Sequence, residues 1–214
     1  MTSAREQILG ALREGLRGGE AVALPPVRRG ATVPGPERAE RFLSVLQRIG
    51  GRAEIVADLA GATARITALL AEHGVQRLAV SDAPELAGMT AAWVAGRRLL
   101  PVDALRDELL LADAGVTFAQ AGIAETGTLV LETASEHNRL ASLLPALHIA
   151  VLPCSRLCGS LGDALAALAG ADGAPRSRTI TFVTGPSRTA DIELTLVVGV
   201  HGPKSLHVLL VAGA

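Results

Sequence analysis

The chain is 214 residues long, 49% hydrophobic and 19% charged, with a formal net charge of −1. That length suits one domain, or one domain with a helical extension, and can bury a large core without disulfides or metals. Aromatics make up only 2% and no basic tail is present, so the stacking platforms and positive face of a nucleic-acid binder are missing, and no stretch approaches the roughly 20 apolar residues that cross a bilayer.

The N-terminus leads into a charged amphipathic stretch, not the apolar run of a signal peptide. Two cysteines, Cys154 and Cys158, suit a reducing compartment. A cytoplasmic protein is expected. With no Tyr and few other aromatics, the core must be built from Ala, Val, Leu and Ile, and alternating runs of these with glycine breaks point to a layered α/β protein.

Residues 3–17 read as a helix, with Ile8, Leu9, Leu12 and Leu16 recurring at helical spacing. Residues 18–36 are rich in Gly and Pro and read as a linker. The division expected is therefore an N-terminal helix and linker over 1–36 and an α/β domain over 37–214. The first helix is expected to pack on a partner, on a second copy or on its own domain. A second helix starts at 37, with Phe42, Val45, Leu46 and Ile49 on one face. A strand at 53–57, a helix at 61–73 and a strand at 78–80 follow; this alternation favours a mainly parallel sheet. Residues 83–112 read as a short helix near Trp93, a strand near Leu99 and a helix at 103–111.

The second half changes character. Strands are expected at 116–120 and 128–132 around a turn, at 147–152 and at 179–184, with a helix at 155–169. The last two strands, 193–200 and 206–212, flank His201-Gly202-Pro203-Lys204 and read as a hairpin. That antiparallel pair makes the expected sheet mixed.

Three groups could carry chemistry. Ala124-Glu125-Thr126-Gly127-Thr128 puts a carboxylate and two hydroxyls at a turn between apolar strands. Glu125 could act there as nucleophile, general base or ligand anchor, or be an ordinary solvated turn residue. Thr184-Gly185-Pro186-Ser187-Arg188-Thr189-Ala190-Asp191 follows an apolar strand, where open α/β sheets place ligand crevices. Ser187 could cap a helical turn whose free N–H groups suit an anion; the alternative is a structural cap with a salt bridge. His148 lies within a predicted strand and His201 at a predicted hairpin tip, while Arg139 could hold a carboxylate or sit on a surface helix. His73, His137 and His207 read as peripheral. No Walker loop, dinucleotide fingerprint or metal-ligand spacing is present, so no metal site is expected. Cys154 and Cys158 would share one helical face, as buried structural residues or as a redox pair.

Gly122-Ile123-Ala124-Glu125-Thr126-Gly127-Thr128, Arg139 through Ser142-Leu143-Leu144-Pro145 to His148-Ile149, Thr184 through Glu193, and Gly199-Val200-His201-Gly202-Pro203 resemble, in order and spacing, the lactate-utilization protein C family with its LUD domain. The resemblance covers about residues 115–212. It implies a three-layer α/β/α sandwich with a Rossmann-like sheet, similar to the sugar-phosphate isomerases and coenzyme A transferases. It also implies a subunit of a system oxidising L-lactate to pyruvate, without cofactor of its own, beside iron–sulfur partner proteins. The matching positions are Glu125, Thr126, Gly127, Arg139, His148, Gly185, Pro186, Ser187, Thr189, Asp191, His201 and Gly202, with Thr128 beside them. Of these, Glu125 and His148 are the expected catalytic pair and the others the expected ligand contacts.

Three functions suit this sequence, in this order. The first is a lactate-oxidation subunit that binds a small carboxylate or a partner's redox group. The second is an independent acyl- or coenzyme A-transferase using Glu125, which rests on fold-level analogy. The third is a non-catalytic sensor or scaffold for an organic acid or sugar phosphate. A homo-oligomer is compatible with each.

Overall fold

A computed structural model describes residues 3–16, 32–101, 104–133, 139–168, 177–189 and 197–213. The helices are α1 Ala4–Leu16, α2 Arg38–Arg48, α3 Leu59–Glu72, α4 Pro84–Thr90, α5 Arg106–Leu109 and α6 Leu161–Leu168. The strands of the first half are β1 Arg52–Val56, β2 Arg77–Val80, β3 Arg98–Leu100 and β4 Ala114–Phe118. Those of the second half are β5 Ala121–Ile123, β6 Thr128–Glu132, β7 Leu147–Pro153, β8 Leu157–Cys158, β9 Ile180–Val183, β10 Arg188–Thr189, β11 Val197–Val198 and β12 Ser205–Val211.

Six strands form one sheet in the order β1-β12-β7-β4-β2-β3, and every neighbouring pair is parallel. Such a sheet must be covered on both faces, which is why its central strands read as apolar runs without alternation. All of β4 and β7 is buried. On one face Val116, Phe118, Ile149, Val151, Leu209 and Val211 meet Ile66 and Leu69 of α3 and Leu86 and Met89 of α4. On the other face Ala150, Leu152, Val208 and Leu210 meet Phe42 and Leu46 of α2 and Leu129 and Leu131 of β6. Leu109 of α5 covers Ala79 on that second face. The result is the expected α/β/α layering. A small sheet, β8-β5-β6-β9, is built into the second helical layer, with Ala164 and Leu168 of α6 on its outer side.

α3 shows how local sequence sets an element. Asp58 is extended and its Oδ1 accepts a hydrogen bond from Gly61 N at 2.8 Å, satisfying one of the free donors of the first turn. Asp58→Ala is expected to cost about 1 kcal/mol, a drop of roughly 2–4 °C in thermal melting; an unchanged Tm would show that the cap contributes nothing.

Three expectations are corrected. The last two strands do not form a hairpin. β12 runs parallel between β1 and β7, while β11 pairs antiparallel with β10. β12 is apolar on both faces, and only a central position covers both; a hairpin would expose one. Among the described residues antiparallel pairing is thus confined to the two smaller sheets. The helix expected over 155–169 begins only at Leu161, because Leu157 and Cys158 pair with β5 as β8. Cys154, in a short 3-10 turn, and Cys158, in a strand, therefore do not share a helical face; burial raises the pKa of both thiols. Trp93 lies beyond the end of α4, fully buried, with its indole N–H donating to Thr63 O at 3.2 Å.

Candidate functional site

The Glu125 turn joins β5 to β6. Gly127 sits at φ +64°, and a Cβ there would lie 2.8 Å from Leu46 N, so the turn packs directly on the backbone of α2. The half-buried Glu125 turns toward α6, where its Oε1 accepts from Leu161 N at 2.7 Å. A carboxylate suits a helix N-terminus, whose first N–H groups have no partner within the helix. Thr126, Thr128 and Thr184 form a chain of hydroxyls at 2.7 and 2.8 Å. With Ile123, Leu161, Leu165 and Phe182 they line a groove of about 370 Å³ on the outer side of the small sheet.

The second turn lies elsewhere. β9, which precedes it, is the edge of the small sheet and not a strand of the central one. The turn is therefore not at the carboxyl edge of the parallel sheet, as its place after an apolar strand led one to expect, but beside the amino ends of β7 and β12. Nor does Ser187 cap a helical turn, since Arg188 and Thr189 continue as β10. Its backbone is instead clamped by the loop before β12: Ser187 N donates to Pro203 O at 2.9 Å, and Gly199 N donates to Ser187 O at 2.9 Å. Lys204 N in turn donates to Ala146 O at 2.8 Å, tying that loop to the start of β7. Gly185 takes φ +87° against Ile49, and the Arg188 guanidinium donates to Ile49 O.

Between the turn, the loop and the sheet lies a cavity of about 210 Å³. Ser142 and His148 lie at its buried end, Thr181 and Val183 of β9 line one side, and Gly185, Ser187, His201 and Gly202 surround it from the two loops. His201 is exposed, while Ser142 and His148 are buried.

His148 carries the electrostatics of this cavity. Its side chain is fully buried, and burial lowers its pKa to about 4, so the ring is neutral near pH 7. Nε2 lies 2.8 Å from the hydroxyl of Thr117, which is also fully buried. Among the described residues this contact is the hydrogen bond of the Thr117 side chain, and its direction follows the ring tautomer. With the hydroxyl donating to Nε2, the ring hydrogen is assigned to Nδ1; with the opposite tautomer Nδ1 is a bare acceptor. Among the described residues Nδ1 has no hydrogen-bond partner. An unmade hydrogen bond on a buried ring nitrogen costs roughly 1–3 kcal/mol, a cost that a ligand oxygen in the cavity would remove.

The cavity thus gathers His148, Gly185, Ser187, His201 and Gly202 of the sequence-derived set, with Pro186 in the same turn. Thr189 pairs with Val197. Thr126 and Thr128 line the groove on the other face of the small sheet, with Glu125 turned toward α6 and Gly127 packed on α2. Arg139 is exposed in a 3-10 turn, its carbonyl accepting from Ser142 Oγ at 2.7 Å. Asp191 and His137 lie outside the described residues. Sequence reading missed Thr117 and Ser142. A lone hydroxyl in the apolar run 114–118 was the available signal for Thr117. At the opposite, carboxyl edge of the sheet, Arg156 is already paired with Glu85 at 3.0 Å, with the Phe118 ring 5.0 Å from its guanidinium carbon. Among the described residues no group of three His, Cys, Asp or Glu is placed to hold a metal ion, and no helix is long and apolar enough to cross a membrane.

A parallel sheet whose central strands are covered on both faces defines a Rossmann-like α/β/α protein. Residues 39–211 match the family model of the LUD domain, and the chain belongs to that family. It is 31% identical to a lactate utilization protein C of Deinococcus radiodurans, over 97% of this chain and 95% of that protein. It is 46% identical to the protein of that name from Bacillus licheniformis, over 43% of this chain and 39% of the relative. The chain thus spans about two-fifths of the length of the first curated relatives it matches. Among solved structures, a DUF162 family protein from Deinococcus radiodurans superposes with a TM-score of 0.64 at 24% identity, covering 84% of this chain and 99% of that one. At that identity the likeness is one of fold.

Proposed function

We propose that this chain is a subunit of a lactate-utilization system and holds a small carboxylate in the His148 cavity. The relatives' name supports the first half of this reading. The unpartnered Nδ1 of His148 is the observation that carries the second. With the ring hydrogen assigned to Nδ1, a neutral donor in a cavity of about 210 Å³ calls for an oxygen acceptor on a small molecule. L-Lactate and pyruvate each offer a carboxylate together with a hydroxyl or carbonyl oxygen at the next carbon. Ser187 and His201 supply further polar groups around the ligand. In this reading the chain brings no cofactor of its own, and electrons pass through iron–sulfur clusters of partner subunits. The transferase alternative is less favoured, because the Glu125 carboxylate is already engaged at the N-terminus of α6.

Calorimetric titration with L-lactate, pyruvate and acetate near neutral pH tests the ligand. His148→Phe keeps an aromatic ring at this position and removes the donor. It is expected to weaken binding about tenfold or more, the equivalent of one buried hydrogen bond. Equal affinity in His148→Phe, or no binding of any of these acids to the native chain, would refute the assignment. For the system, deletion of the gene should abolish growth on lactate, and normal growth in a strain without a paralogue would exclude the subunit role.

A further inference from the structure

Two apolar surfaces stand open on the single chain. The first is the stripe of α1. Ile8 and Leu12, one helical turn apart, are 61% and 57% exposed. The helix is nonetheless well specified: Ser3 Oγ accepts from Glu6 N at 3.3 Å while the Glu6 carboxylate accepts from Ser3 N at 2.8 Å, a complete capping box. An isolated helix of 13 residues is marginal in water, so a sequence that caps it and stripes it with apolar residues implies a surface that covers the stripe. The second surface is the groove of about 370 Å³ beside α6. Leu161 and Leu165 are again one turn apart and stand 44% and 46% exposed, with Phe182 at 42% across from them.

We propose that the two surfaces cover each other between two copies of this chain, each copy laying its α1 in the groove of the other. The match is of one ridge of apolar side chains at i and i+4 to a groove framed by another, the usual geometry of a helix held in a groove. The tether agrees as well. Thr32 Oγ1 donates to Asp163 Oδ2 at 2.5 Å, and a Cβ at Gly159 would collide with Thr32 and Val33, so the chain coming from α1 lands on α6 beside the groove. The 15 residues from 17 to 31 reach at most about 50 Å, ample to cross to a neighbour. Among the described residues of the single chain nothing covers either surface, and reciprocal exchange closes both with one twofold axis. β9 backs the groove on one face and the His148 cavity on the other, so the partner's helix would brace a wall of the cavity.

The test is the molar mass of the full chain in solution, by light scattering across a concentration series. A dimer is expected, and Leu12→Asp and Leu165→Asp are each expected to halve the mass. Both positions are exposed, so the fold survives; unchanged fluorescence of the buried Trp93 checks this. A dimer that survives both substitutions places the interface elsewhere and overturns the proposal. A native monomer overturns it too: with amide protection of α1 that Leu165→Asp abolishes, the helix docks in its own groove; without protection, the groove does not hold it. None of these outcomes depends on whether the cavity binds lactate.

Discussion

Acidification from about pH 7 to about pH 4.5 is expected to remove roughly 2–3 kcal/mol of folding stability through His148 alone. The sign follows from proton binding. Burial holds the folded ring at a pKa of about 4, against an ordinary value of 6.5. Between those values the unfolded chain takes up a proton that the folded chain refuses, so stability falls as pH falls and levels off below the folded pKa. Above the ordinary value the full stability is present. His207 acts in the same direction. Burial first, and then the nearby charge of Arg52, push it to about 4 as well. Urea unfolding over this range measures the slope. His148→Gln should flatten it by the share of that residue, whatever its effect on stability at neutral pH. A profile that is level from pH 7 to 4.5 would mean that His148 is not a neutral buried ring in solution.

Gly115→Ala is expected to be the most damaging single methyl addition near the cavity, at about 3 kcal/mol or more. Gly115 lies on β4 opposite His148, and a Cβ there would sit 1.8 Å from Ala141 O. The obstacle is backbone, so no rotamer change relieves it. The turn Arg139–Ser142 would have to lift off the sheet, and Ser142 would leave the cavity with it. Urea unfolding and the lactate titration should therefore fail together in this variant. A stability change below about 0.5 kcal/mol, the range of an innocuous surface substitution, would show that the turn does not press on the strand as described.

The two predictions meet at residues that sequence reading treated unequally. His148 stood out as a polar residue in an apolar strand, whereas Thr117, 31 residues away, is recognisable only once β4 and β7 are neighbours. Glu125 stood out more strongly still. A carboxylate beside a glycine between apolar strands invites a chemical role, but its partner is a backbone N–H 36 residues downstream. Ser187 and His201 were both expected at the site. The loop contacts that bring them together, Ser187 N to Pro203 O above all, do not follow the hairpin inferred from the two apolar runs around His201.

Local pattern alone determined a good deal. The buried face of α2, Phe42, Val45 and Leu46, follows from helical spacing. The strand Thr128–Glu132, the apolar strand of His148 and the alternation that makes the protein α/β were all legible, because burial periodicity belongs to a single element. Only the tertiary structure decided where each strand went: β12 to the middle of the parallel sheet, β9 to the edge of a second one, and α6 to a start at Leu161. Strand partners are chosen by which faces remain to be buried once every element is present. That is a property of the assembled layers, and no window along the chain contains it.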